Sequence, residues 1–456
     1  MQANTIKTPL LVSGGLSISV LAALLIVLGV HLIPFALLLA ATALAWLLFQ
    51  RPLGTLGVIL AFMPIFPMAF MLAEFFGPHY VSLFSPCDRI AVLLLTFALW
   101  WRNGIKFTVA DWLLLACFGL GVIRLAFSGQ LIPLLSDFNL MFAYAAGRVV
   151  ILTANQETLW ARRAVWILAV LSMLGMAEVF VFGEGPRALL YSSVATNATA
   201  EGQLAAPFHA DAYSGLREAS TMIGPLQFAP LCMAALIIWW VYCRKPWAAG
   251  MIAAGLILSV TRSAWVGTAL SIPLLALIMN QKRRLFLYTG LGLALFIVSI
   301  PILGLSDYLS MAKAGQDYST QGHEASILQG FEYMVSHPFG SGPGSAGAYA
   351  VQNNDNGIGF ESTYLTFAAE YGIVATLCFI GFLVTALLIV WRQRTRLGYV
   401  AVGIIVGFCA VMMFAPLHLD FALATWIWFP VGLAVRSSVT LHHRELATGM
   451  AAPITV

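Results

Sequence analysis

Charged side chains are scarce in this 456-residue chain, since Asp, Glu, Lys and Arg together make up only 9% of it. A soluble domain carries about 25% charged residues, so charge this sparse cannot solvate the surface of a folded chain of this length. Hydrophobic residues make up 61%, and the mean hydropathy is +0.90. These values exclude a soluble globular protein, a disordered chain and a secreted disulfide scaffold, and they indicate that the lipid bilayer is the main solvent.

Metal-ligand and cofactor patterns are also lacking. The six cysteines form no C-x-x-C pair, and most lie inside apolar runs, where cysteine behaves as a small hydrophobic residue. The eight histidines form no cluster with metal-ligand spacing. The glycine-rich stretch near residue 342 lacks the Lys-Ser/Thr pair of a phosphate-binding nucleotide loop. We therefore expect no metal, no cofactor, no nucleotide site and no nucleic-acid partner.

Long apolar runs are abundant. A membrane-spanning helix needs roughly 20 apolar residues, and we predict an all-α polytopic integral membrane protein with about 12–14 transmembrane helices. The N-terminus shows no cleavage site of small residues, so we expect the first span to be retained. Polar breaks bracket fourteen candidate spans, near residues 10–30, 33–49, 54–75, 90–101, 110–127, 131–150, 164–182, 226–243, 247–261, 264–280, 285–304, 364–390, 397–415 and 421–436.

The basic residues test this map, because loops on the cytoplasmic side are enriched in Lys and Arg. With a cytoplasmic N-terminus, every second break is basic, and these breaks hold 16 of the 23 Lys and Arg residues. The alternation predicts that both chain ends are cytoplasmic. It requires residues 247–280 to form a helical hairpin, since one long helix would put the basic runs at 244–245 and 282–284 on opposite sides of the membrane.

Two breaks are too long to be turns, and both fall on the periplasmic side of this map. Both are rich in Gly, Ser, Asn and acidic residues, and long loops of this kind are usually functional. The predicted segments are an N-terminal transmembrane scaffold (1–182), a first periplasmic loop (183–225), central transmembrane helices with the hairpin (226–304), a large periplasmic loop (305–362), and C-terminal transmembrane helices with a cytoplasmic tail (363–456).

Two arginines stand out among the basic residues that lie outside the cytoplasmic breaks. Arg262 lies at the apex of the hairpin, where a charge at membrane depth costs about 2.5–3.5 kcal/mol on insertion scales. It is expected to face a partner or a cavity, or alternatively to reach the headgroups as an interfacial side chain. Arg217 precedes a turn at 224–225 and is expected to bind an anion, the alternative being a salt bridge within the loop. Two guanidinium groups at the membrane surface suit a lipid-linked phosphate or diphosphate.

The large loop holds the other candidate residues. Residues 322–336 are typical of an amphipathic helix, which the His-Pro pair at 337–338 ends. The glycines that follow, among them Gly342 and Gly344, allow a substrate to approach the backbone closely. Glu361 stands where the next helix begins. Its carboxylate is either a charge favoured by the helix dipole or a general base close to the arginines.

Four local patterns follow each other in this part of the chain. They are R-x-x-S with a following G-P at Arg217–Pro225, T-R-S-A-W at Thr261–Trp265, H-P-F-G-S-G-P-G at His337–Gly344, and Y-L with a following A-E-Y-G at Tyr364–Gly372. In order and spacing they resemble the motifs of the O-antigen ligase and polysaccharide polymerase superfamily, which includes Wzy-type glycan polymerases and lipopolysaccharide ligases. The resemblance covers roughly residues 210–380.

The resemblance implies a metal-independent GT-C-type glycosyltransferase that acts on undecaprenyl-diphosphate-linked glycans. Its active site would lie on the periplasmic face of the cell inner membrane. The predicted catalytic residues are Arg217 and Arg262, which would hold the diphosphate, and Glu361, which would act as the base. The predicted substrate-binding residues are His337, Gly342, Gly344, His323 and Tyr364.

The chain departs from the family pattern at two positions. The ligases carry a His just before the fourth motif, where this chain has Glu361 and Ser362, and members often carry Arg at the position of His323. The Glu favours a polymerase that joins lipid-linked repeat units into O-antigen or exopolysaccharide. The alternatives are a ligase that transfers the glycan to lipid A core or to protein, and a flippase or transporter for the same lipid-linked sugar. The expected partners are the lipid-linked donor and acceptor and the bilayer, with a chain-length regulator and a flippase as further candidates.

Overall fold

A computed structural model describes residues 50–68, 87–128, 130–183, 217–222, 224–302, 318–347, 350, 359–415 and 420–448. The chain divides into two compact units, residues 1–55 and residues 56–456. Every contact given below lies within the second unit. The predicted spans at 10–30 and 33–49, and most of the predicted loop at 183–225, lie outside the described residues.

The described residues form α-helices joined by turns, and they contain no β-strand. The helices are α1 (Pro52–Phe62), α2 (Cys87–Asn103), α3 (Val109–Ser128), α4 (Leu131–Asp137), α5 (Asn139–Val149), α6 (Ala154–Ala177, followed by a π-helical turn at Glu178–Phe182), α7 (Pro225–Tyr242), α8 (Pro246–Leu258), α9 (Arg262–Ile278), α10 (Lys282–Ile302), α11 (Tyr318–Ser336), α12 (Thr363–Gln393), α13 (Arg396–Met412) and α14 (Phe421–Thr448).

Most of these helices lie within a few residues of a predicted span, and the 247–280 hairpin is confirmed as α8 and α9. The span predicted at 131–150 is instead two helices that meet at Phe138, whose fully buried ring packs against the rings of Phe367 and Tyr371. The span predicted at 164–182 begins ten residues earlier, since a capping box at Thr153 starts α6 at Ala154.

Five helices in the described part of the chain are long and apolar enough to cross a membrane, and four more apolar helices have 10–17 residues. This agrees with the predicted all-α polytopic membrane fold. The five are at Val109–Ala126, Ala154–Phe182, Pro225–Tyr242, Thr363–Gln393 and Phe421–Val439.

The central helices α9 and α13 run antiparallel and touch along their small residues. The Ser271 hydroxyl donates to the Gly403 carbonyl oxygen at 2.8 Å. A Cβ on Gly267 would lie only 2.6 Å from the Gly407 carbonyl oxygen, so the two backbones meet without intervening side chains. At one end of this bundle α7, α9, α12 and α14 begin, and α8 and α13 end. We call it the site end.

A buried ion pair fixes α3 to α5 near the opposite end. Arg148 donates to Asp111 at 2.8 Å and to the Lys106 carbonyl oxygen at 2.7 Å, and the Tyr144 hydroxyl donates to Asp111 at 2.9 Å. The pair brings two opposite charges together inside the protein, which a buried charge requires in order to be tolerated.

A close helix crossing joins α5 and α14 through two glycines. A Cβ on Gly147 would lie 2.2 Å from the Phe429 carbonyl oxygen, and one on Gly432 would lie 2.1 Å from the Tyr144 carbonyl oxygen. Small residues allow such close backbone approach in membrane helices, where van der Waals packing drives association. This crossing ties the N-terminal helices to the C-terminal ones.

We expect Gly147→Ala to destabilise the protein, because the added methyl group must push α14 away from α5. Overpacking of this kind costs about 1–3 kcal/mol and should lower the Tm of the detergent-purified protein. Gly119→Ala, in α3, is the matched control, since no heavy atom lies within 4 Å of its new Cβ. Equal Tm values for the two variants would contradict the close crossing.

Candidate functional site

The α8–α9 hairpin turns at residues 259–261 and presents Arg262 at the site end. Val260 adopts a left-handed conformation with φ of 48°, which closes the turn over three residues. Thr261 is the N-cap of α9, and the half-buried Arg262 is its first helical residue. The backbone N–H groups at a helix N-terminus attract anions. Arg262 adds its positive charge at this end of α9, so both features favour an anion there.

Arg217 binds this turn directly. Its Nε donates to the Ser259 carbonyl oxygen at 2.9 Å, and its Nη2 lies 3.2 Å from both the Val260 carbonyl oxygen and the Thr261 hydroxyl. The Thr261 hydroxyl is also 3.4 Å from the carbonyl oxygen of Pro225, at the start of α7. The buried Arg217 side chain therefore holds the shape of the apex, and it brings the two predicted arginines next to each other.

Glu218 is a fully buried carboxylate that the sequence reasoning did not single out. Its backbone N–H donates to the Leu258 carbonyl oxygen at 3.0 Å. The side chain fits only because two neighbouring residues have none. A Cβ on Gly175 of α6 would lie 2.3 Å from its Oε1, and one on Gly255 of α8 would lie 3.1 Å away. No sequence pattern marked this residue, because the two glycines come from distant helices.

The start of α12 is bonded to the end of α13. The Thr363 hydroxyl donates to the Ala415 carbonyl oxygen at 2.9 Å, and the Tyr364 hydroxyl donates to a carbonyl oxygen of α13 at 3.3 Å. The backbone N–H of the half-buried Glu361 donates to the Ser326 hydroxyl of α11 at 3.0 Å. Glu361 thus lies where α11, α12 and the end of α13 meet.

Arg262 and Glu361 lie at the same end of α13. Arg262 is nine residues before Ser271 and Met412 is nine residues after Gly403, and Ser271 and Gly403 are in contact. In antiparallel helices this spacing puts the start of α9 level with the last turn of α13. The hydroxyl of the residue after Glu361 is 3.5 Å from the Met412 carbonyl oxygen, so Arg262 and Glu361, two of the three predicted catalytic residues, lie near the same helix end.

The glycine loop, which we define as residues 338–347, pairs with the first turns of α12 through its backbone. These hydrogen bonds join the third and fourth sequence motifs into one unit. They run from the Ser341 N–H to the Ala369 carbonyl oxygen (2.8 Å), from the Gly342 N–H to the Glu370 carbonyl oxygen (2.8 Å), and from the Ile373 N–H to the Pro338 carbonyl oxygen (2.9 Å).

The close approach of the glycine loop to α12 depends on a glycine in each of these two segments. Gly340 and Gly372 have φ of 76° and 87°, in the region that favours glycine. A Cβ on Gly340 would lie 2.5 Å from the Glu370 carbonyl oxygen. A Cβ on Gly344 would lie 2.1 Å from the Gln130 side-chain oxygen, just before α4. The buried glycines therefore serve the packing of the loop on protein.

The Glu370 side chain completes this contact. Its Oε1 accepts from the backbone N–H groups of Gly344 at 3.1 Å and Ala346 at 3.2 Å. The carboxyl group also lies next to that of Asp137, at the end of α4, which accepts from the Tyr371 hydroxyl. The N-terminal helices therefore do more than provide a scaffold, because α4 braces the helix on which the loop is seated.

The exposed His337 ring stacks on the half-buried ring of Tyr333. Their ring centroids are 4.3 Å apart with an interplanar angle of 20°. The Tyr333 hydroxyl is 2.7 Å from the Ser341 hydroxyl, and its ring packs 5.8 Å from that of Phe360, the residue before the predicted base. Flat aromatic surfaces of this kind suit sugar rings. His323 lies in α11, but its side chain is outside the described part.

Three further charged residues, Asp88, Arg89 and Asp420, lie at the site end, where α2 and α14 begin. Asp420 accepts from the Leu423 backbone N–H at 2.8 Å and thereby caps α14. Burial raises the pKa of Asp420, and it raises the pKa of Asp88 to about 6, while the charge of Arg89 acts in the opposite direction on both groups. Among the described residues, no group of three or more His, Cys, Asp or Glu side chains could hold a metal ion.

These features define an all-helical membrane protein with two arginines, a carboxylate and a glycine-rich loop at one end of its bundle. Residues 247–380 match the family model described as O-antigen ligase. The match covers the hairpin, the glycine loop and the start of α12, and it confirms the resemblance to the O-antigen ligase and polysaccharide polymerase superfamily. The match indicates a glycosyl-transferring enzyme in the broad sense. No curated protein matches the chain significantly.

We expect Glu370→Ala to release the glycine loop, because it leaves two buried N–H groups without their acceptor, at a cost of about 1–3 kcal/mol each. Glu370→Gln keeps an acceptor oxygen and should restore most of the contact. Hydrogen exchange of residues 340–347 measures the difference. Glu332→Ala, at an exposed position of α11, is the control. Wild-type exchange in Glu370→Ala would show that another contact holds the loop.

Proposed function

We propose that this chain is a polymerase that joins undecaprenyl-diphosphate-linked oligosaccharide repeat units into O-antigen or exopolysaccharide. The observation that carries the proposal is the pairing of Arg217 with the apex turn that presents Arg262, at the same helix end as Glu361. Two positive charges and one carboxylate are the groups that transfer of a glycan from a diphosphate needs. The match to the O-antigen ligase family supports the same class of reaction.

In the proposed mechanism, Arg262 and Arg217 bind the donor diphosphate and stabilise the charge that develops as it leaves. The bond from the sugar anomeric carbon to the phosphate oxygen breaks, and the diphosphate takes the electron pair. An acceptor hydroxyl attacks the same carbon, and Glu361 takes its proton. Attack opposite to the leaving group inverts the anomeric centre. The arginines supply the positive charge, so the proposal assigns no step to a metal.

Arg217 has a structural role and an electrostatic role in the proposed mechanism. Its bonds to the carbonyl oxygens of Ser259 and Val260 shape the turn, and its charge adds to the potential at the start of α9. The residue is therefore in part a positioning residue for Arg262. His337 and Tyr364, with the glycine loop and His323, are the proposed contacts to the sugar chain.

We further propose that the site end faces the periplasm and that both chain ends are cytoplasmic, in the cell inner membrane. The basic residues at the helix ends opposite the site support this orientation, because positive charge accumulates on the cytoplasmic side. Four of them are Arg102 at the end of α2, Lys245 before α8, Lys282 at the start of α10 and Arg392 at the end of α12.

An O-antigen ligase that transfers the glycan to lipid A core or to protein is the second candidate, and the match of residues 247–380 to the O-antigen ligase family favours it. The carboxylate at position 361, where ligases carry His, favours the polymerase. A flippase is a weaker candidate, since it needs charged side chains along a path through the membrane, whereas Arg217, Arg262 and Glu361 lie at one end of the bundle and the buried Arg148 is already paired with Asp111. A chain-length regulator and a separate flippase are proposed partners of either enzyme.

The function is tested by replacing Glu361 with Gln in cells and separating the lipid-linked glycans by size. Loss of a general base lowers the rate by roughly 10²–10⁴-fold, so single repeat units should accumulate at normal protein level. Glu332→Gln, on the exposed face of α11, should leave the polymer unchanged. Long polymer retained on the lipid carrier would instead identify a ligase, and normal surface glycan would remove Glu361 from the site.

Arg262→Ala should lower the polymer yield by about 10²–10³-fold, as expected when one group that stabilises a developing anion is removed. Arg262→Lys keeps the charge but loses the bidentate geometry and should retain part of the activity. Arg283→Ala, at an exposed position of the opposite end, is the control. Unchanged yield and chain length in Arg262→Ala would refute the leaving-group role.

A further inference from the structure

One helix at the site end exposes an apolar stripe. Leu328, Phe331 and Val335 of α11 have exposed fractions of 60%, 52% and 74%, and Phe339, just after the helix, has 70%. We call these four residues the α11 stripe. The spacing of three and four residues puts the three helical members on one face. The neighbouring exposed face is polar and holds Gln329, Glu332 and Ser336.

The remaining face of α11, which holds Ser326 and Gly330, packs against α12. The two helices run parallel to each other. The Ser326 hydroxyl accepts from the Glu361 N–H, a Cβ on Gly330 would lie 2.7 Å from Leu365, and the Pro338 carbonyl oxygen accepts from the Ile373 N–H. Each contact joins residues that are 35 positions apart. The helix therefore descends beside α12, and the Phe339 end of the stripe lies deeper in the bundle than the Leu328 end.

The exposed residues of α12 mark where the hydrocarbon core begins. Thr363–Gly372 are buried or half-buried, whereas apolar side chains exposed on the outside of the helix run from Val374 to Trp391. At 1.5 Å per residue this stretch is about 26 Å long, close to the hydrocarbon thickness of about 30 Å. The upper edge of the hydrocarbon therefore lies near Gly372, whose backbone touches Phe339.

The neighbouring helix α3 places the guanidinium group of Arg124 at the membrane depth of Gly372. Leu113 contacts Gly381 lower in the bundle, so α3 runs antiparallel to α12. Higher up, the guanidinium of Arg124 lies over the Phe339 ring at 5.9 Å, directly after the exposed Ile123. An arginine whose stem covers apolar surface while its head reaches the headgroups is typical of the membrane–water interface. The lipid-facing surfaces of α3 and α12 thus continue into the α11 stripe.

We propose that the α11 stripe is a membrane-docking surface that enters the headgroup region of the leaflet at the site end. The apolar face lies on the lipid, the polar face with Glu332 lies in water, and the third face lies on α12, as expected for an interfacial amphipathic helix. Phe339, at the start of the glycine loop, then lies on the lipid, while Gly344 in the same loop stays packed against Gln130. The inference is independent of the proposed function, since it concerns where the helix lies and not what the site transfers.

The test measures the depth of single positions in the full-length protein. Val335 and Phe339 are each replaced by p-acetylphenylalanine, and the ketone is coupled to a nitroxide, which leaves the six cysteines untouched. Gln329 and Glu332 on the polar face are the matched controls. Each protein is placed in nanodiscs of phosphatidylethanolamine and phosphatidylglycerol. Collision rates are then measured with oxygen, which concentrates in lipid, and with a water-soluble nickel complex.

We expect the oxygen-to-nickel collision ratio to be higher at 335 and 339 than at 329 and 332, and higher at 339 than at 335. Equal ratios at all four positions would overturn the proposal, because the stripe would then face water. Low collision rates with both reagents at 335 and 339 would also overturn it, since protein would then cover the stripe.

A second measurement uses the unmodified chain, in case a labelled variant fails to fold. An apolar photoactivatable reagent dissolved in the same nanodiscs should modify Phe331, Val335 and Phe339 and spare Gln329 and Glu332, as read by peptide mass spectrometry. Labelling confined to α3, α12 and the other spanning helices would refute the docking surface.

Discussion

The arrangement of the site end depends on the contact between the glycine loop and the first turns of α12. The loop has no helix or sheet of its own to satisfy its buried backbone groups, and a buried N–H without an acceptor is costly. The Glu370 carboxylate and the carbonyl oxygens of Ala369 and Glu370 supply those acceptors. Without them, the glycine loop would lose its hydrogen bonds to α12, and the direct contacts of α11 with the start of α12, such as Ser326 with the Glu361 N–H, would be left to hold that helix.

The two halves of the site are supported from different sides. Arg217 holds the hairpin apex through backbone oxygens, and the apex presents Arg262. On the other side, α4 and the glycine loop brace the start of α12 through Asp137 and Tyr371. The end of α13 lies between the two. Arg262 and Glu361 lie in different halves, so in the proposed mechanism the packing of α9 and α12 on α13 decides whether they can act on one substrate.

The fold class followed from composition and periodicity, because lipid tolerates only segments that satisfy their backbone internally. The bounds of α7, α9 and α13 fell within a few residues of the predicted spans for the same reason. The prediction was wrong at 131–150, where the run is two helices that meet at Phe138, and the ring of Phe138 packs against those of Phe367 and Tyr371. These ring partners lie more than 200 residues away in the chain, and no local pattern encodes such a contact.

The sequence by itself determined the polytopic helical class, the hairpin with Arg262 at its apex, and the four motifs of the site. Only the tertiary structure decided which contacts those motifs make with one another and with the rest of the chain. It showed that Glu370 binds the glycine loop, that Gly344 packs against Gln130, and that Glu218 is buried between two glycines of different helices. The physical reason is that hydropathy and turn chemistry act over a few neighbouring residues, whereas hydrogen-bond partners and close backbone contacts are selected by helix packing across the whole chain.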